Sequence, residues 1–385
     1  MKTQVRSILA LAVAAAIAPA AHAEIAIDVI NGSEVSLEGL MQADGNWYDN
    51  DRVDLNGAGS ANGDNSEFEM RRAEVVLKGK GGTFDWVIGY DGKADKWLDV
   101  NLKWKLGTNY VTIGQYKQPN SLEELTSTRH NDFIAKAMVT NLFGVARRTG
   151  ITYGDDKTNW GYNVSVFGRE LTRNLAQGQG YGARAYWAPV MESGNVFHLG
   201  VSAVDFDTDF DTARLRVRPD ADLATVRLVD TGDIRNADRQ RTFGAEAAWI
   251  GGPFKVQSEY MRSRVNRTNA AQDVSGDSWY VYGVWNLTGE TWGYKAGLPT
   301  TNLPENPASG MWQLGVRYDK TDLNDGAVRG GTEDNLTLGV NWYWRSNFKF
   351  MLNYVKVNSD KFLASAGRDV SDDPNIYEAR AQFYW

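Results

Sequence analysis

The chain has 385 residues, no cysteine, and a formal net charge of −7 from 41 basic and 48 acidic side chains. Without cysteine there is neither disulfide nor thiolate chemistry, and an acidic balance argues against nucleic acid as a partner. Apart from Ile8 to Ala18, no stretch approaches the roughly 18 continuous apolar residues of a helical span, so crossing a membrane by helices is excluded.

In chain order, Lys2 and Arg6 precede the apolar run, and Ala21-His22-Ala23 offers a small-residue cleavage site. This predicts a secretory signal peptide over residues 1–23 and a single exported domain over 24–385. From there the pattern is alternation. The predicted strands run over residues 34–48, 68–80, 84–90, 97–106, 110–117, 145–153, 160–169, 181–187, 196–204, 241–249, 254–265, 278–287, 311–320, 335–344, 348–357 and 375–385. The last shows the pattern most plainly. Tyr377, Ala379, Ala381, Phe383 and Trp385 alternate with Glu378, Arg380, Gln382 and Tyr384. One oily and one wet face, repeated in segments of about ten residues, is the mark of a transmembrane β-barrel, which leaves no backbone group unpaired in lipid. The fold class is thus all-β, an antiparallel barrel of about sixteen strands. Aromatics at 12%, with 14 Trp and 17 Tyr, suit belts at two membrane interfaces.

Connections after even strands should be short and periplasmic, and those after odd strands long and extracellular. Short turns fall at residues 80–82, 107–109, 155–158, 192–194, 251–253 and 345–347, all after even strands. Residues 288–310 break the rule, being either a missed hairpin or an unusual periplasmic segment. Two long insertions stand out. Gln118 to Gly144 holds Pro119, Leu122, Leu125, Phe133, Ile134 and Met138, too apolar for a solvated loop, and is the best candidate to fold inward against the wall, the alternative being an extracellular lid or a subunit contact. The other spans about Asp205 to Gln240.

Sixteen strands enclose an aqueous lumen. With the aromatic face outside, parity puts Arg72, Lys78, Lys103, Lys105, Arg148, Arg169, Arg184, Arg317 and Arg380 inside, along with Glu74, Asp99, Glu246, Glu259, Asp319 and Glu378. The first insertion adds Arg129 and Lys136. The second adds Arg214, Arg216 and Arg218, which form one cationic row on an extended segment or belong equally to a solvated loop, since the insertion also holds many Asp. Rings of Arg and Lys bias a pore toward anions, and the guanidinium fork suits phosphate. The competing reading of each Arg is a salt bridge that shapes the wall.

Several motifs carry a resemblance: MRRAEVVLKG (Met70–Gly79), GQYKQPNSLEELTSTR (Gly114–Arg129), ARRTGI (Ala146–Ile151), NLTGETWGYK (Asn286–Lys295) and MWQLGVRYDKTDL (Met311–Leu323). In these the chain resembles the phosphate-selective porins O and P. The resemblance implies a homotrimer of sixteen-stranded barrels in the outer membrane of a Gram-negative bacterium, against outer-membrane lipid and lipopolysaccharide. It further implies an inward third loop and a ladder of Arg and Lys that passes phosphate or polyphosphate passively. An insertion between the last two motifs is typical of the family, which accounts for the long turn without a further hairpin. By position Arg129 takes the basic place in the third loop, and Arg72 and Arg148 sit in the RR motifs. Arg214 to Arg227 have no secure match.

Rival functions are a general or sugar-permeable porin, a plugged structural barrel, and a membrane hydrolase. After cleavage only His130 and His198 remain as bases, neither in a nucleophile motif, and no His–carboxylate cluster has metal-ligand spacing. No enzyme activity and no cofactor is expected.

Overall fold

The computed structural model describes residues 25–30, 33–57, 65–172, 178–269, 271–363 and 365–385. The expected signal peptide lies outside the described residues. One sheet of 18 strands holds the chain together. Two of these, Ile25–Ile30 and Arg368–Ser371, are short additions to a neighbour, which leaves sixteen in the ring. They are β1 Ser33–Asp49, β2 Ser66–Gly81, β3 Phe84–Asp91, β4 Lys96–Leu106, β5 Asn109–Lys117, β6 Arg147–Asp156, β7 Trp160–Phe167 and β8 Gly180–Glu192. Then come β9 Asn195–Asp207, β10 Ala237–Gly251, β11 Phe254–Arg267, β12 Val274–Asn286, β13 Met311–Asp325, β14 Val328–Trp344, β15 Phe348–Leu363 and β16 Asn375–Tyr384. Consecutive strands pair antiparallel. β16 returns to β1, from Leu40 opposite Tyr384 to Asp49 opposite Asn375, and closes the barrel.

Alternation explains why these residues form strands that belong together. On β14, Leu336 and Leu338 are exposed while Asn335, Thr337 and Asn341 are buried. On β16, Tyr377 is exposed while Glu378, Arg380, Gln382 and Tyr384 are buried. In water this distribution would be inside out. It fits a solvent that is lipid on the exposed face. Stacked rings such as Trp312–Trp342 and Phe254–Trp285 lie on that exposed face.

The sixteen expected strands are all present, but several are longer at the long-loop end. β13 and β14 continue to a tight turn at Asp325-Gly326, where Gly326 has φ 59°. Apart from Leu323, Ala327 and Val328, residues 321–335 are polar or glycine, so alternation ends there, but the backbone pairing does not need an oily face to continue. Leu98, which falls outside by the parity that puts Asp99, Lys103 and Lys105 inside, is instead buried, because a register shift between Ile88 and Tyr90 turns it over.

The connection after β12, which the resemblance explained without a further hairpin, does contain one, Trp292–Lys295 paired with Leu298–Thr301. It is separate from the barrel sheet, so the ring stays at sixteen. Its Trp292 is buried, Tyr294 bonds His198 Nδ1 at 2.6 Å, and the Gly297 carbonyl accepts from Arg184 at 2.9 Å.

Candidate functional site

Residues 118–144 form a short helix at Leu122–Leu125, a 3-10 turn at Thr128–His130 and a second helix at Met138–Phe143. Helices this short do not satisfy their own first N–H groups, and carboxylates from the wall do so. Glu259 of β11 accepts from the Leu122 and Glu123 amides, each at 2.8 Å, and from the Ser121 hydroxyl at 3.2 Å. Asp319 of β13 accepts from the Met138 amide at 3.2 Å. Within the segment, Glu123 accepts from the Ala137 amide at 3.0 Å and the Thr140 hydroxyl at 2.7 Å. Its carbonyls are taken in the same way. Ile134 is bonded by Arg380, Ala135 by Arg317, Asp132 by Asn341 and Arg129 by Gln382, at 2.8, 2.9, 2.8 and 2.9 Å. The segment leaves the sheet between β5 and β6 and is fastened to buried-face side chains of β11, β13, β14 and β16.

Where this segment meets β1 and β2, basic side chains converge. Glu38 and Gln42 lie on the same face of β1. Glu38 receives Lys78 at 2.5 Å and Arg129 at 2.9 Å. Gln42 accepts from Arg72 at 2.6 Å and donates to Gln382 at 2.6 Å. Arg72 also lies 3.4 Å from Glu74. The side chains of Lys78, Arg72 and Arg129 remain 34%, 16% and 14% exposed, so water reaches each of them.

The family profile of phosphate-selective porin O and P matches residues 41–385. The chain belongs to the phosphate-selective porin O and P family. Among curated relatives, an uncharacterized protein of Caulobacter vibrioides is 29% identical over 308 residues, 74% of this chain and 62% of that one. Porin O of Pseudomonas aeruginosa is 30% identical over 218 residues, 49% of this chain and 50% of its own length. The matches thus span between half and two thirds of these relatives. Among solved structures, OmpT of Vibrio cholerae in its trimer form superposes with TM-score 0.60 at 11% identity, over 92% of this chain and 100% of that one. The anion-selective porin from Comamonas acidovorans gives 0.58 at 12%, over 92% and 100%. The porin is an outer-membrane barrel, as the family and the fold agree.

The other basic residues singled out by sequence divide into three groups. Arg184, Arg317 and Arg380 are sealed inside ion pairs: Arg184 with Glu246 at 2.6 Å, Arg317 with Asp319 at 2.6 Å and Asp220 at 3.0 Å, and Arg380 with Asp44 at 2.6 Å. Their side chains are at most 3% exposed, which leaves a solute no access. A second group is paired but reachable. Lys105 meets Asp85, Arg148 lies 3.9 Å from Glu170, and Lys103 stands over the Tyr110 ring at 3.5 Å. Lys136 pairs with Glu124 within the segment. The third group stands apart from that convergence. Arg169 follows the end of β7 and is exposed, so strand parity does not govern it. Arg214 and Arg216 are exposed and Arg218 half-buried, while Ala213, Leu215 and Val217 between them are buried. The row is therefore extended as its period implied, though Arg214 is held by Asp230 at 2.8 Å and Arg218 by the Ala224 carbonyl.

Parity missed two arginines. The β1–β2 register shifts between Gln42 and Ala43, which leaves Arg71 as an extra residue. The bulge turns it to the same side as Arg72, where it binds Asp222 of the second insertion at 3.1 Å. Arg147, at the start of β6, binds Asp99 at 2.8 Å. In each case the signal was the doubled Arg of the motif. Burial alone would raise the Asp222 carboxyl, but Arg71, Arg72 and Arg380 outweigh it and hold it at about 2. Glu124 is likewise held at about 2, where Lys136 and Lys117 overcome burial. His130 is pushed down to about 3 by burial and then by Lys349 and Arg129.

Proposed function

We propose that this porin forms a passive, water-filled, anion-selective channel whose solute is phosphate or polyphosphate, and that it works as a homotrimer. The buried, polar face is read as the lumen wall, and residues 118–144 as the constriction that narrows it. What carries the reading is the convergence of Arg72, Lys78 and Arg129 about Glu38, Glu74 and Gln42, each basic side chain pinned yet still wet. Pinned guanidinium groups present donors without reorganising, and partial pairing keeps any one site weak enough to release its anion.

On this reading Arg214, Arg216 and Arg218 gather anions at the mouth, with Arg227 beside them. Burial and then Arg218 and Arg216 lower the Arg227 guanidinium, as befits neighbouring positive charges. Lys103, Lys105, Arg148 and Arg169 contribute to the wall field. Arg184, Arg317, Arg380 and Lys136 act as positioning residues that fix the constriction and the hairpin. Transport needs no energy coupling and no catalytic group. The family supports phosphate, the anion-selective porin from Comamonas acidovorans supports an anion channel on this fold, and the trimer form of OmpT supports the assembly.

The test is the double substitution Arg72→Gln with Arg129→Gln, studied in planar bilayers. Reversal potentials in a potassium chloride gradient should move toward zero, and block of chloride current by added phosphate should weaken by roughly tenfold or more, given two lost charge-assisted contacts. Selectivity and block identical to those of the parent would remove the constriction from this place.

A further inference from the structure

The outward face of β6 to β11 carries a feature that the channel does not account for. Ala183 of β8 and Ala203 of β9 are cross-strand partners, and Phe243 of β10 is opposite Ala203. These small side chains lie among Ile151, Val166, Tyr181 and Phe243, and the result is a groove of about 880 Å³. That is at the upper end of the range of sites that hold a small ligand. Its lining is largely apolar, with Ser165 within it, and Asp205 and Arg241 close it at the long-loop end.

Around that end three arginines share the lipid-facing parity. Arg241 is directly across from Arg264, and Arg262 is across from Phe243 on one side and Asp277 on the other. Charge on this face is costly at mid-bilayer and nearly free at the interface, so their place at the extracellular end of the strands is tolerated. Tolerance does not explain why like charges stand opposite each other, which is unfavourable without an anion between them. Acids take part of this charge, and Asp277 faces Arg262. Arg241 gives its Nε to Asp205 at 2.8 Å, Arg264 bridges Asp273 at 2.7 Å, and Arg239 takes Asp205 and Asp207 beside them. The Arg241 and Arg264 side chains stay 49% and 61% exposed, and the terminal nitrogens of Arg241 make no hydrogen bond among the described residues.

We propose that this face is a binding site for a phosphorylated, multiply acylated glycolipid of the outer leaflet, a lipid A. The acyl chains fill the groove over Ala183 and Ala203, and a phosphate bridges Arg241, Arg262 and Arg264 by two-point contacts. The order along the strand, guanidinium above and apolar groove below, matches the order of head and chain in that lipid. The site lies on the exposed face, so it stands or falls separately from the anion pathway.

The experiment uses the full-length barrel folded in detergent, with native mass spectrometry counting retained lipid. The probes are diphosphorylated lipid A, the same lipid with its phosphates removed, and phosphatidylglycerol. Diphosphorylated lipid A should be retained, and retention should fall by roughly tenfold or more in the triple variant Arg241→Gln, Arg262→Gln, Arg264→Gln. Ala203→Trp, which fills the groove without touching the charges, should also reduce it. Both variants should keep the heat-modifiable mobility of a folded barrel and the parent conductance. Equal retention of the phosphate-free lipid, or of phosphatidylglycerol, would overturn the assignment. So would undiminished retention by the variants. Efficient disulfide cross-linking of Ala203→Cys between two copies would make the groove a subunit contact instead.

Discussion

Fourteen basic side chains with the same formal charge do different work according to how much water each retains. Arg380 donates from Nε and Nη2 to the two oxygens of Asp44, both at 2.6 Å, with neither side chain more than 1% exposed. Such a pair stabilises little relative to an apolar substitute, but breaking it strands a charge. Asp44→Ala should therefore cost about 3–5 kcal/mol in unfolding free energy, read by urea titration in lipid vesicles. Arg72→Gln, at a wet position, should cost much less on the same titration while changing selectivity. Strand parity alone assigned Arg72 and Arg380 the same role, because both are arginines on the polar side of a strand. The separation between them comes from Asp44 and Ile134, distant in sequence, which enclose Arg380 completely. Arg71 escaped notice for a local reason. One bulged residue reverses parity, and alternation carries no signal of it beyond the adjacent Arg72.

At the scale of elements, the segment over residues 118–144 is held by carboxylates that a count of wall charge treats as free acids. Glu259 is the main one, since three donors of the segment converge on it. If the segment narrows the channel as proposed, Glu259→Ala should loosen this end of it, raise single-channel conductance and weaken phosphate block, with the barrel still folded. The same element should respond to acid. The carboxyl of Glu124 and that of Asp222 on the second insertion are both held at about 2, against ordinary values of about 4.5 and 3.8. A depressed acid contributes stability that is complete above its unfolded value and is lost as pH falls toward its folded one. His130, held at about 3, works with the same sign from about 6.5 downward, because the open state binds the proton more readily. Conductance noise should therefore grow as pH falls from about 6 and steepen between about 4.5 and 2. Flat noise over that range would show that neither insertion is held by these groups. The hairpin at Trp292–Thr301 is a second such element. Its existence was open in the sequence because four-residue strands in a long turn have no periodicity to read.

At the scale of the molecule, closure between β1 and β16 decides what every strand can be. A closed ring has no edge, so each backbone group is paired and the outer face has only lipid to meet. The exposed leucines of β14 are correct only on those terms. Leu338→Arg, at the middle of a lipid-facing strand, should cost about 2–4 kcal/mol in bilayers, whereas a charge near the strand ends should cost about 0–1. Urea unfolding in vesicles compares the two positions directly. The same ring closure lets an insertion leaving between β5 and β6 bond to the buried, polar face of β11 to β16.

Period-two alternation, turn chemistry and loop length were sufficient to determine the barrel, its strand number and, away from the bulges, which face of each strand is exposed. They suffice because a membrane imposes one rule on every spanning residue, and that rule acts locally along the chain. Which of the charges on the buried face stay wet, which are consumed in holding the insertions, and where Arg71 points were settled by tertiary contact. Those outcomes depend on carboxylates and carbonyls hundreds of residues away, brought near only when the ring closes, and no periodicity within a strand encodes them.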